Sequence, residues 1–190
     1  MAGRPLLQWA QRARRLLPLD RVTTKRIERL IVLRDVRSLA SLLTGTGLLV
    51  MGAGLMFSLL GTRASSADFS PLVTGLVMSA YFAGFVAGVY WCPLVIRRVG
   101  HIRAFAAMAS IASTMPVLHA LWIHPVYWGV LRAITGVCLV GLYIAIESWL
   151  NMSSTKVNRG RVFGAYTTVS WLASAAGQWL LLVGQTIEFA

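Results

Sequence analysis

The chain has 190 residues, 57% of them hydrophobic and only 13% charged, with a mean hydropathy of +0.69. A soluble domain carries about 45–50% apolar and about 25% charged residues, so an ordinary soluble globular protein is excluded. Eighteen Lys and Arg against six Asp and Glu give a net charge of +12, which raises the question of nucleic-acid binding.

Position answers that question. Ten of the eighteen basic residues precede Ser38, and nearly all the others fall in two short turns between apolar runs. Basic residues gather on the cytoplasmic side of bilayers, so membrane topology accounts for the whole charge excess and no nucleic-acid partner is called for.

Residues 1–38 form the first unit. MAGRPLLQWAQRARRLL is Arg-rich and free of acid, which weakly resembles an organellar transit peptide, and no apolar core of a cleavable secretory signal follows it. Leu6, Trp9, Ala10, Ala13, Leu16 and Leu17 fall on one helical face, with Gln8, Gln11, Arg12 and Arg15 opposite or flanking. Pro18 should break that helix. Thr23 or Thr24 then caps a second one that carries Ile27, Leu30 and Ile31 against Lys25, Arg26 and Arg29. A basic amphipathic segment of this kind lies in the interface of an anionic leaflet, with Trp9, Arg12, Arg15 and Leu16 as its anchors.

Residues 39–190 form the second unit, a transmembrane domain. Spanning a bilayer takes about 20 apolar residues at about 1.5 Å rise each. Five runs qualify: 39–60, 71–96, 104–122, 126–150 and 162–186. Runs this long satisfy their backbone groups in lipid only as helices. Pro71 and Pro125 sit near helix starts, where a missing N–H costs nothing, whereas Pro93 and Pro116 fall late in their spans and are expected to bend or end them. Gly45, Gly47, Gly52 and Gly54 in the first span, and Gly84 and Gly88 in the second, are spaced for close helix packing. Cys92 and Cys138 lie within apolar runs and read as small packing residues; no metal or cofactor spacing is present.

Orientation follows from the connections. The segment before the first span, the turn Arg97–Arg103 and the turn 151–161 carry sixteen Lys and Arg; the other two connections carry only Arg63. The N-terminus is therefore expected in the cytoplasm and the C-terminus outside.

Charges within hydrocarbon cost several kcal/mol, so each one is a functional candidate. Two qualify: Arg132, about 10 Å into the fourth span, and Glu147, about 22 Å further along the same helix in Ile146-Glu147-Ser148-Trp149-Leu150-Asn151. They are too far apart to pair. Tyr81, Tyr143 and Gln178 are further polar groups that either face a cavity or bond to a neighbouring helix.

These residues carry a resemblance. Arg132-Ala133-Ile134-Thr135-Gly136 resembles the R-x-x-x-G signature in the fourth span of major facilitator superfamily transporters. The turn ending Arg97-Arg98-Val99-Gly100-His101-Ile102-Arg103 is similar to that superfamily's G-x-x-x-D-R-x-G-R-[RK] loop. GLVMSAYFAGFVAG, RRVGHIRAF, ESWLN and NRGRVFGAY together resemble one bacterial branch of uncharacterised facilitator proteins, from about Leu39 to the last residue. With Gly100 as the loop's second glycine, Pro93 replaces the first and Arg97 the acid, and His101 and Ile102 replace the basic pair.

The resemblance implies an all-α integral membrane fold, five helices akin to the N-terminal half of the facilitator fold, in a bacterial inner membrane. It implies transport of an unidentified small solute, with Arg132 taking part in proton coupling or substrate contact in the central cavity and Gly136 a further transport candidate as the glycine of the same signature. It also implies a charge cluster at the cytoplasmic end among Arg97, Arg98, Gly100, Arg103, Arg161 and Glu147, in which Glu147 substitutes for the lost loop acid and pairs with Arg97, Arg98 or Arg161. The superfamily fold has two six-helix halves. Five helices are therefore expected to be the front part of a transporter, either as a fragment or as a chain that pairs with a second membrane polypeptide, a copy of itself or another protein. The alternative is a degenerate half kept as a non-catalytic accessory subunit of a larger membrane complex. Enzyme activity is not expected, since His101, His119 and His124 are scattered and no catalytic set accompanies them.

Overall fold

The computed structural model describes the backbone of residues 21–154 and 158–188, and side chains over 40–154 and 158–184. The chain is all-helical over this range: α1 Arg21–Ser66, α2 Pro71–Val99, α3 His101–Leu121, α4 Pro125–Ser153 and α5 Arg159–Glu188. The amphipathic segment predicted at 6–17, with its anchors Trp9, Arg12, Arg15 and Leu16, lies outside the described residues.

The helix starts follow local chemistry. Ser70 caps α2 by accepting from the Val73 N–H at 3.3 Å, with Pro71 in the first turn, and Pro125 opens α4 in the same way. Pro93 and Pro116 do not end their helices, which run on to Val99 and Leu121. Helix α1 runs without interruption through Leu39, so the backbone of residues 21–38 continues directly into the first span. The turn predicted over Arg97–Arg103 shrinks to Gly100. At φ +89° this residue ends α2, its N–H reaching Ile96 O at 2.9 Å, and immediately precedes α3. Such a φ suits glycine, so this position fixes how α2 turns into α3.

Among the described residues, four stretches are long and apolar enough to cross a bilayer: Ala40–Ser66, α2, α3 and α4. The fifth predicted span meets a helix of sufficient length, α5, but Thr167, Thr168, Ser170, Ser174 and Gln178 dilute its hydropathy and it is not one of the four.

Helix α4 is the central element. Of its most apolar stretch, 61% is buried, against 22% or less in the other three. It packs along α2 and α3, while α1 packs along α5, and the two groups touch only lightly. Cys92, Cys138, Leu139 and Leu142 form the main core, so both cysteines are packing residues as their setting predicted. Two smaller clusters sit nearer the ends, Leu60, Ala64, Val77 and Trp128 at one and Ile146, Leu150 and Tyr166 at the other. Hydroxyls within the helices bond their own backbone, as Thr46 does to Leu42 O at 2.8 Å and Thr135 to Leu131 O at 2.7 Å, which satisfies these two donors in the apolar surroundings.

Candidate functional site

The site is built on the crossing of α2 and α4. A side chain at Gly136 would run into the backbone of Tyr81 and Phe85, and one at Gly84 into the backbone of Ala133. The helices therefore touch backbone to backbone, which small residues allow and lipid, as apolar as any Leu, does not oppose. Gly136 lies one helical turn beyond Arg132. Its lack of a side chain brings α2 close enough to set the Tyr81 ring beside the guanidinium, which supplies a physical reason for the arginine–glycine spacing.

Arg132 is 2% exposed. Its guanidinium carbon lies 4.8 Å from the centre of the Tyr81 ring and 5.3 Å from that of Phe57 on α1. Nε and Nη2 are buried with no hydrogen-bond partner among the described residues. A desolvated cation–π contact is worth about 2 kcal/mol. Burying an unpaired charge costs several kcal/mol, so two rings do not offset it. Arg132 is thus held at a cost to stability, the mark of a residue kept for what it does.

One turn before it, Trp128 is 3% exposed and closes α3 onto α4. Its indole N–H donates to His119 O at 3.1 Å and Trp122 O at 3.0 Å, satisfying carbonyls that the end of α3 leaves without helical partners. The Trp128 ring packs 5.4 Å from Phe69 and 5.7 Å from His119. His119, 3% exposed, bonds Met115 O through Nδ1 at 2.8 Å. A carbonyl only accepts, so Nδ1 carries the hydrogen and Nε2 is left as an acceptor; it too is buried without a partner. Sequence reasoning set His119 aside as one of three scattered histidines. The signal that would have found it was its place in an apolar run, where a histidine is as much an outlier as an arginine.

The other candidate residues gather at the opposite end of the bundle. Arg97, Arg98, Gly100 and Arg103 are exposed around the α2–α3 junction, and Arg161 is exposed at the start of α5. Glu147 is exposed as well. Its carboxylate accepts from the Tyr166 hydroxyl at 3.2 Å, and among the described residues it forms no ion pair with Arg97, Arg98 or Arg161. Instead of a charge latch, the α2–α3 junction is tied to α4 by His101 Nε2 and Ser148 Oγ, 3.0 Å apart. Glu147, Ser148, Asn151, Arg159 and Phe163 line a cleft of about 750 Å³ between α4 and α5. The structure thus brings Glu147 and Arg159 to one cleft and leaves Arg97, Arg98 and Arg103 outside its lining. Tyr166 and His101, which the sequence reading did not select, supply the contacts made here.

Comparison with known proteins finds distant relatives. The chain is 28% identical over 149 residues to the uncharacterised MFS-type transporter YcaD of Salmonella newport, and 29% identical over 145 residues to that of Escherichia coli O139:H28. Each match covers 76% of this chain and 38% of the relative, so the chain spans well under half the length of the relatives it matches. No family model and no solved structure matches it.

Proposed function

The chain belongs to the major facilitator superfamily as a distant member, and we propose from that premise that it forms part of a transport path for a small solute through a bacterial inner membrane. The observation that carries this reading is Arg132: a cation buried in an apolar helix, faced by two aromatic rings, without a counter-ion among the described residues. Such a group suits transient contact with a solute better than a fixed structural role, because a structural ion pair would have its partner in place.

In this reading α5 also crosses the bilayer. Its polar residues are tolerated because it lies along α1, where Gly177 meets the backbone of Met51 and Leu55. The basic end faces the cytoplasm and its anionic leaflet. The exposed residues of the basic end and the Glu147 cleft then act at the cytoplasmic mouth of the path.

The test is reconstitution of the protein, as its gene encodes it, into proteoliposomes, with solute-driven flux measured across a panel of small solutes. Flux is expected for at least one solute class and is expected to vanish in Arg132→Gln. Flux that is indifferent to Arg132 in a folded variant would overturn the assignment. Orientation is checked by labelling Ser153→Cys and Ser66→Cys from either side of intact cells. The native cysteines are buried and quiet, and only the second variant is expected to react from outside.

A further inference from the structure

Three buried nitrogens without hydrogen-bond partners lie in one region of the bundle: Nε and Nη2 of Arg132 and Nε2 of His119. Buried polar groups are nearly always paired, so three orphans in neighbouring side chains require a common explanation. We propose that Arg132 and His119 together bind a small monocarboxylate that carries its own hydrogen-bond donor, an α-hydroxy acid being the simplest case. This rests on the transport reading and names its substrate class.

The donor pattern selects the carboxylate. Nε and Nη2 share one edge of the planar guanidinium, and that edge matches the two oxygens of a carboxylate in a bidentate pair. The flanking Phe57 and Tyr81 rings shield the charge but offer no lone pair along that edge. Neither of the acids whose side chains are described, Asp68 and Glu147, pairs with it.

The acceptor selects the second group. His119 uses its Nδ1 hydrogen on Met115 O, so Nε2 offers a lone pair and needs a donor. A simple halide or an unsubstituted fatty acid would leave it unmatched. A hydroxyl next to the carboxylate supplies that donor.

Placement brings the two halves together. Trp128 precedes Arg132 by four residues on the same face of α4, and its ring packs against His119 from α3. His119 also lies within electrostatic reach of the Arg132 charge. The single cation sets the ligand's charge, since one guanidinium balances one carboxylate and a dianion would leave buried charge uncompensated.

The experiment uses the protein as its gene encodes it, in lipid nanodiscs, with three probes of similar size: L-lactate, propionate and the neutral lactamide. Calorimetry gives affinity, and nitrogen-15 histidine NMR reports on His119, identified by the signal lost in His119→Gln. Saturable lactate binding that moves the His119 Nε2 resonance is expected, with propionate weaker by about tenfold, the worth of one unmatched buried acceptor. Lactamide should not bind. Arg132→Gln should abolish binding. Arg132→Lys keeps the charge, loses the bidentate edge and should weaken lactate by about tenfold or more; it keeps the test decisive if the Gln variant does not fold. His119→Gln should bring lactate closer to propionate. Equal affinity for lactate and propionate, binding of lactamide, or no binding of any probe at 50 mM (about 2 kcal/mol of affinity, too weak to count) would overturn the site. Lactate binding without flux would sink the transport reading and leave the site standing. Arg132-dependent flux of solutes lacking a carboxylate, with no lactate binding, would do the reverse.

Discussion

Arg132 and Glu147 stand fifteen residues apart on α4, and both are charges in an otherwise apolar run, yet the structure gives them opposite situations. Arg132 is 2% exposed, faces two rings and has no ion partner among the described residues. Glu147 is exposed, shares a hydroxyl bond with Tyr166 and lines an open cleft. In water-accessible surroundings a carboxylate keeps its solvation and costs the fold little. A guanidinium enclosed by packed helices loses that solvation and depends on whatever partner reaches it. Depth on one helix, rather than residue type, separates a candidate ligand site from an interfacial charge.

The contrast can be broken or sharpened by substitution, with thermal unfolding in detergent as the common measurement. The largest effect is expected from Gly136→Val, whose side chain would meet the Tyr81 and Phe85 backbone and push α2 away from Arg132. A loss of about 3 kcal/mol is expected, while Gly45→Ala, with no atom within 4 Å of the new carbon, should stay neutral or gain up to about 1 kcal/mol. A Gly136→Val protein as stable as wild type would mean that the crossing is looser than described.

Trp128→Phe comes next. It keeps the ring against Phe69 and His119 but removes the indole donor to two carbonyls, at about 2 kcal/mol. Arg132→Met should act in the opposite direction, raising stability by about 1 kcal/mol, because it removes an unpaired buried charge at similar volume. A marked loss instead would show that Arg132 has a stabilising ion partner and would erase its difference from Glu147. The smallest effects belong to the exposed end, where Tyr166→Phe and Glu147→Gln should each stay within about 0.5 kcal/mol. A large coupling between those two in a double-mutant cycle would promote Glu147 to a structural role.

Several features were legible before any coordinates. Pro71 and Pro125 mark the starts of α2 and α4, and Arg97 and Arg98 mark the end of α2, because proline geometry and charge act on the local backbone. Arg132 stood out because hydropathy registers a charge anywhere in a long apolar run. The expected pairing of Glu147 with an arginine did not appear among the described residues, because compatible charge does not say which side chains project toward one another. Pro93 and Pro116 do not end α2 and α3, since a helix packed among neighbours carries a proline without ending.

The sequence by itself determined the membrane class, the helical character of the described residues and the packing role of the two buried cysteines, all of which follow from hydropathy and composition summed along the chain. Tertiary structure decided that α4 lies against α2 and α3 while α1 lies against α5, and so that Tyr81 and Phe57 face Arg132 and Trp128 packs on His119. The reason is physical. In lipid, apolar burial does not favour one helix partner over another, and the choice rests on where backbones can touch. Gly84 and Gly136 make one such contact and Gly177 another, and their partners become visible only when the helices are side by side.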